Sequence, residues 1–301
     1  MTRFIHDQFA KQYLTELLSP LGQVETSKDI TAEVRQIDVL LLRSSPPKGN
    51  PSPLGLLGRI AATSAVFEPF RNPVTRREIR SCLGKLFDIQ AQLERLANRE
   101  NTRLNEAELP RLWILSPTAS VELLQSFKAT TDEENWMSGI YFLGEALKTA
   151  IIAIHQLPRT PETLWLRILG RGRVQQQAIQ ELETRPENNP LRSSTLELVY
   201  DLLAVLEARQ QQAQDLDKDD RELIMQLSPI YRQRLEEATQ QGIERERRAV
   251  IESLLRTRFG SIDKQLEAII DPLIALPAEE FTPLLLQLSR SELIARFEQS
   301  N

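Results

Sequence analysis

The chain has 301 residues, 26% of them charged and 41% hydrophobic, and no apolar run approaches the ~18 residues that cross a bilayer, so a membrane span is not expected. With 37 basic and 42 acidic side chains the formal net charge is -5, which repels nucleic acid as a whole and restricts any such contact to a local patch. A single cysteine, Cys82, excludes disulfide frameworks and cysteine-rich zinc sites, and only 11 glycines and 6% aromatics argue against an all-β sandwich.

Taken in chain order, residues 4–18 place Ile5, Phe9, Tyr13 and Leu17 at steps of four, which predicts an amphipathic helix stopped by Ser19-Pro20-Leu21-Gly22. Gln23–Asp29 is a weak strand. Val34–Leu42 is apolar and β-branched apart from Asp38, the pattern of a strand buried on both faces. Ser44–Pro53 carries Pro46, Pro47, Pro51 and Pro53 and reads as a loop, and a short apolar segment, Leu54–Ala62, follows it. Ser64–Phe70 is another strand, closed by Asn72-Pro73. Thr75, with Glu78 three residues on, has the spacing of a capping box for a helix to about Asn98, whose apolar positions Ile79, Leu83, Leu86, Phe87, Ile89, Leu93 and Leu96 recur at helical steps. Arg111–Leu115 is a strand ended by Ser116-Pro117, and Ile140–Leu143 is a further candidate.

Beyond about residue 145 the pattern is helical throughout, with helices expected at 145–156, 161–170, 174–184, 191–214 and 218–226. The acids Asp215, Asp217, Asp219 and Asp220 suit a helix N-terminus. Residues 229–258 are strongly charged, which fits a solvated helix laced with i,i+4 pairs or, through Ile230, Leu235, Ala238, Ile243, Val250 and Leu254, a coiled-coil seam. Leu266–Phe297 has a compact three-helix pattern. The expected organisation is an α/β domain over 1–157, a helical extension over 158–228, a charged helix or coiled coil over 229–258 and a small helical module over 259–301.

Two acids stand out because a carboxylate inside an apolar strand is costly without a partner or a metal: Asp38 among Ile37, Val39, Leu40 and Leu41, and Glu68 within Ala65-Val66-Phe67-Glu68-Pro69-Phe70. On neighbouring strands they would share one divalent cation; at solvent-facing strand ends they would instead pair with arginines such as Arg35 or Arg71. With two histidines only, His6 and His155, a metal site has to be built from carboxylates, which suits Mg²⁺ or Mn²⁺. Arg71, Arg76, Arg77, Arg80 and Lys85 face a single acid, Glu78, at the start of the second long helix, and this suits either a phosphate backbone or a solvated basic face. Cys82 and His155 read as packed residues, Trp113 and Trp165 as core anchors, and Gly170-Arg171-Gly172 as a helix cap and turn.

The order helix, strand, strand with Asp, strand with Glu, helix, strand resembles the αβββαβ core of PD-(D/E)XK nucleases, that is, a restriction-endonuclease-like fold followed by an all-helical C-terminal half. Several stretches resemble a group of cyanobacterial proteins placed with the Rpn-type recombination-promoting nuclease and transposase family. They are Phe4-Ile5-His6-Asp7-Gln8-Phe9-Ala10-Lys11, Glu33–Val39, Phe67–Pro73, Arg111–Ser120, Thr160–Arg167 and Leu169–Gly172. The segment Leu254–Gly260 is similar to the start of a short C-terminal domain often appended to such nucleases. The resemblance implies a metal-dependent DNA endonuclease in which Asp38 and Glu68 bind Mg²⁺ or Mn²⁺ and Asp7 and Lys11 match an N-terminal signature, with Lys11 joining the catalytic set. The usual lysine position, two residues after Glu68 and on the same strand face, is Phe70. Either a cation arrives from the following helix, or the fold is kept without catalysis and serves as a protein-interaction or self-association module through its helical half. The expected partners are DNA and a second copy or protein partner, with no membrane. The start Met1-Thr2-Arg3-Phe4 carries no apolar secretory stretch, and a reducing cytoplasm fits the cysteine usage.

Overall fold

The computed structural model describes residues 2–30, 35–43, 49–186, 188–212 and 216–298. Val34, residues 44–48 of the proline-rich loop and Asp215 lie outside them. The described residues divide into two compact units, Met1–Leu227 and Ser228–Asn301.

The first unit opens with α1 (Thr2–Leu18), followed by β1 (Gly22–Ile30), β2 (Arg35–Arg43), α2 (Gly55–Ile60), β3 (Ala65–Pro69) and α3 (Arg76–Arg99). It continues through β4 (Arg111–Ser116), α4 (Val121–Ser126), β5 (Ile140–Phe142) and β6 (Thr149–Ala153). The six strands form one mixed sheet in the order β1-β2-β3-β4-β6-β5. The pairs β1–β2, β2–β3 and β5–β6 are antiparallel, and β3–β4 and β4–β6 are parallel. Helices α5 (Leu164–Arg167), α6 (Arg173–Glu183), α7 (Pro190–Gln211) and the long α8 (Lys218–Phe259) follow, so the fold is mixed α/β with a helical C-terminal half.

Helix α3 forms where the sequence places it. The Thr75 hydroxyl accepts from the Glu78 N–H and the Glu78 carboxylate accepts from the Thr75 N–H at 2.9 Å, so both halves of the capping box are made. Its apolar stripe Ile79, Cys82, Leu86 and Ile89 packs on Leu40, Val66, Leu112 and Ile114 of the sheet. Side chains alternate across a strand, so these even-numbered residues share a face with Asp38 and Glu68. The pairing Val39↔Phe67 and Leu40↔Val66 then continues to set Asp38 beside Glu68, at the carboxyl ends of β3 and β4.

Two expectations fail. Residues 145–156 are not a helix: Thr149–Ala153 is β6, an interior strand with every residue buried. A short continuous apolar run has the same pattern in a buried helix and in a buried parallel strand, and neighbouring β4 and β5 decide it here. His155 is consequently not a packed core residue but sits exposed in the turn after β6. Trp113 and Trp165 are buried anchors, 3% and 0% exposed.

The second unit continues from α8 into α9 (Lys264–Ala268), α10 (Ile270–Ile274), α11 (Ala278–Gln287) and α12 (Arg290–Glu298). Its core gathers Ile251, Leu255, Leu266, Leu273, Phe281, Leu285 and Leu293. Of the expected coiled-coil residues, Ile243 and Val250 are exposed, whereas Leu254 packs against this core.

Neighbouring positions on α3 separate burial from composition. Leu86 is 0% exposed and Phe87 44%. Leu86→Ala is expected to cost about 2–5 kcal/mol and Phe87→Ala about 0.5 kcal/mol or less in urea denaturation. Equal costs for the two would contradict the placement of this stripe.

Candidate metal centre

Asp38 and Glu68 are brought together, as their places on adjacent strands require. The Asp38 backbone N–H donates to Glu68 Oε1 at 3.4 Å. Glu68 is almost wholly buried and Asp38 partly so. Each carboxylate has a lysine. Lys85 Nζ, from α3, lies 2.7 Å from Glu68 Oε2, and Lys11 Nζ, from α1, lies 3.0 Å from Asp38 Oδ1 and 3.0 Å from Asp7 Oδ2. Cys82 Sγ donates to Glu68 Oε2 at 3.7 Å.

The electrostatics follow from the burial. Desolvation raises the Glu68 carboxyl and the charge of Asp38 raises it further; Lys85 opposes both, and the balance is about 7. Burial lowers the two ammonium groups, but Asp38 outweighs it at Lys11 and Glu68 outweighs it at Lys85, so both end above their ordinary value. Burial and the neighbouring Glu68 push the Cys82 thiol far up, so it stays a neutral thiol and not a nucleophile.

Phe70 does not carry a charge to the site. Its N–H donates to the Leu115 carbonyl at 2.7 Å and its ring packs against the core under α3. The cation comes from α3 instead. Lys85 was expected among the phosphate-contacting residues; it lies next to the buried Cys82 and Leu86 stripe, and that spacing was the signal that it turns inward.

The other expected phosphate contacts do not gather at one point. Arg71 is withdrawn from solvent: its side chain is 6% exposed and Nη2 lies 2.5 Å from Asp220 Oδ1. Nη1 donates to the Gly170 carbonyl at 3.3 Å and to Gln175 Oε1 at 3.2 Å. Its expected role as a phosphate ligand is therefore corrected to that of an internal tie between the sheet and the helices after it. Arg76 pairs with Glu122 at 2.7 Å on the surface. Arg77 and Arg80 are exposed on α3.

The sequence did not identify the partner of Arg71. Asp220 is fully buried and also meets His6 Nε2 at 2.8 Å, while Asp219 and Asp217 pair with Arg171. The acidic run read as a helix N-terminus thus holds two arginines. Burial keeps His6 below its ordinary value. Asp220 stays low because His6 and Arg71 outweigh its desolvation.

These elements enclose a cavity of about 580 Å³ that includes His6, Asp38, Glu68, Phe70 and Lys85 in its lining. Among the described residues no group of three or more His, Cys, Asp and Glu side chains is placed as a metal site. The Asp38 and Glu68 pair nevertheless fits Mg²⁺ or Mn²⁺, hard ions that take one or two carboxylates and keep several waters. The Glu68 carboxyl is raised first by its burial and then by the adjacent Asp38.

Comparison with known proteins returns no match to a family model, to a curated protein or to a solved structure. No helix among the described residues is long and apolar enough to cross a membrane.

Two stability measurements test the charges. His6 and Asp220 both have depressed folded values, so the stability they give is present above their unfolded values and lost as pH falls. In the Glu68→Gln background, where the opposing carboxyl is absent, melting temperature is expected to fall as pH drops below about 6.5 and again below about 4, and His6→Gln is expected to remove the first step. Asp220→Ala, which strands a buried guanidinium, is expected to cost about 3–5 kcal/mol. Glu68 has the opposite sign: its raised value gives stability below its unfolded value that is lost as pH rises through about 7. In metal-free buffer Glu68→Gln is therefore expected to be more stable than the parent at pH 8 and equal to it at pH 4. A parent stability that is flat from pH 4 to 8 in the His6→Gln background would contradict this charge arrangement.

Proposed function

We propose that the chain is a metal-dependent DNA endonuclease of the PD-(D/E)XK type, related to the Rpn-type nucleases, with its lysine supplied from α3. The observation that carries this reading is the placement of Lys85 Nζ at 2.7 Å from Glu68 Oε2, beside Asp38 on the adjoining strand. The order α1-β1-β2-α2-β3-α3-β4, with Asp38 on β2 and Glu68 on β3, supports the restriction-endonuclease-like assignment, the short α2 being an addition between the second and third strands of that core. So does the position of the pair at the carboxyl ends of parallel strands, where open α/β sheets bind ligands.

Asp38 and Glu68 would hold the ion. A bound Mg²⁺ or Mn²⁺ supplies an acidified water and neutralises a phosphate oxygen. Lys85 is positioned to orient the attacking water and to place positive charge beside the phosphoryl group as its negative charge grows. Lys11 bridges Asp38 and Asp7 and so fixes the orientation of the Asp38 carboxylate. In the reaction a bond forms from the water oxygen to phosphorus and the bond from phosphorus to the leaving sugar oxygen breaks. One proton passes to that oxygen, leaving a phosphate monoester and a free hydroxyl. Arg77 and Arg80, exposed on the same helix as Lys85, are placed to meet neighbouring phosphates through charge alone.

The other reading, a nuclease-like fold used only to bind partners through its helical half, was motivated by Phe70 at the usual lysine position, by the acidic net charge and by the size of the helical half; the position of Lys85 answers the first of these.

Purified protein incubated with plasmid DNA and Mg²⁺ or Mn²⁺ is expected to cut, and excess EDTA to stop it. Asp38→Ala and Glu68→Ala are expected to abolish cutting. Lys85→Ala, losing one charge-stabilising group, is expected to slow it by roughly 10²–10³. Cleavage that persists unchanged in Asp38→Ala excludes this centre as its source.

A further inference from the structure

Asp38 and Glu68 lie recessed in an open-mouthed cavity. The Glu68 side chain is 2% exposed and that of Asp38 17%. Walls rise around them from three parts of the chain: Phe9 on α1, Lys85 on α3, and Leu169 and Gln175 from the helices after β6. The volume, about 580 Å³, lies within the range of roughly 300–1,000 Å³ typical of sites for one small ligand. That is room for a nucleotide. A B-form duplex is a wide convex rod whose major groove alone is roughly 12 Å across, so its phosphates meet the rim of such a cavity and not its floor.

The wall is also fixed. Gln175 is buried, donates to the Ile168 carbonyl at 3.0 Å and accepts from Arg71. Arg71 is in turn held by the fully buried Asp220. Opening the cavity to a duplex would separate a buried ion pair, a change that is costly because each charge is left without a partner.

Beside the cations Lys85 and Arg71 and the carboxylates, the lining has an apolar part. Phe9, Pro69, Phe70 and Leu169 face the cavity, and aromatic rings in such a site suit the flat face of a base, which every nucleotide offers once it is unpaired.

Resting on the nuclease function proposed above, we propose that the substrate is an unpaired DNA strand. One nucleotide enters the cavity, its phosphate toward Asp38 and Glu68 and its base against Phe70, while flanking phosphates run past Arg77 and Arg80 outside. Phe70 thus has a use of its own at the position where a lysine is usual. It selects for strands whose bases are free to turn inward.

The test uses the full chain with Mn²⁺ or Mg²⁺ and one end-labelled oligonucleotide presented as a single strand, as a blunt duplex and as a duplex with a single-stranded tail. The single strand is expected to be cut at least ten-fold faster than the blunt duplex, with cuts in the tailed substrate confined to the tail. Phe70→Ala is expected to reduce that preference. A blunt duplex cut as fast as the single strand leaves the nuclease function standing and overturns the unpaired-strand assignment. If none of the three is cut with either ion, the nuclease function fails and this assignment fails with it. The substrate panel on the unaltered chain decides the matter even if Phe70→Ala does not fold.

Discussion

Two carboxylates on adjoining strands of one sheet set the terms for the rest of the site. Glu68 is buried in β3 and Asp38 lies beside it on β2, so burial first and the neighbouring Asp38 second raise the cost of ionising Glu68. Such a pair persists only where positive charge is brought to it. Two elements from distant parts of the sequence do this: α1 delivers Lys11 to Asp38 and α3 delivers Lys85 to Glu68. The capping box at Thr75 and Glu78 matters for this reason, because it fixes where α3 starts and therefore which of its residues faces the sheet. A displacement by one residue would rotate the helix by about 100°, turn Lys85 away from the site and bury a different stripe.

A second charged cluster closes the site from the other side. Arg71 follows β3 directly, and Asp220 lies 149 residues later on α8, yet the two form a buried pair joined by His6 from α1. Buried pairs of this kind add little net stability but penalise any arrangement that separates them. Here the penalty defines geometry: it holds the elements after β6 against the mouth of the cavity. The carboxylate pair and the cavity wall are thereby held by different ion pairs, Glu68 with Lys85 for the first and Arg71 with Asp220 for the second.

Much of this was legible in the residues themselves. Asp38 and Glu68 were visible as lone acids in apolar strands, and the Thr75 and Glu78 spacing located α3 within a residue or two. What failed did so for identifiable reasons. Thr149–Ala153 was taken for helix because Thr149 and the four apolar residues after it show neither a period of two nor of 3.6, and its identity depends on the strands flanking it. Lys85 was grouped with Arg77 and Arg80 by charge, although its place next to Cys82 and Leu86 put it on the inward side of the helix. Arg71 was read as a surface cation because its partner lies so far along the chain that no local pattern could reveal it. His6 likewise drew attention only through its neighbour Asp7, whereas its contact is with Asp220.

The most direct test of the account is whether Asp38 and Glu68 together hold one divalent ion. Titration of the metal-free protein with Mn²⁺, followed by electron paramagnetic resonance, is expected to show one bound ion per chain. Binding should weaken by at least an order of magnitude in Asp38→Asn and in Glu68→Gln, with the fold of each variant verified by circular dichroism. Mn²⁺ binding of undiminished affinity in either variant, or no binding by the parent chain, would contradict it.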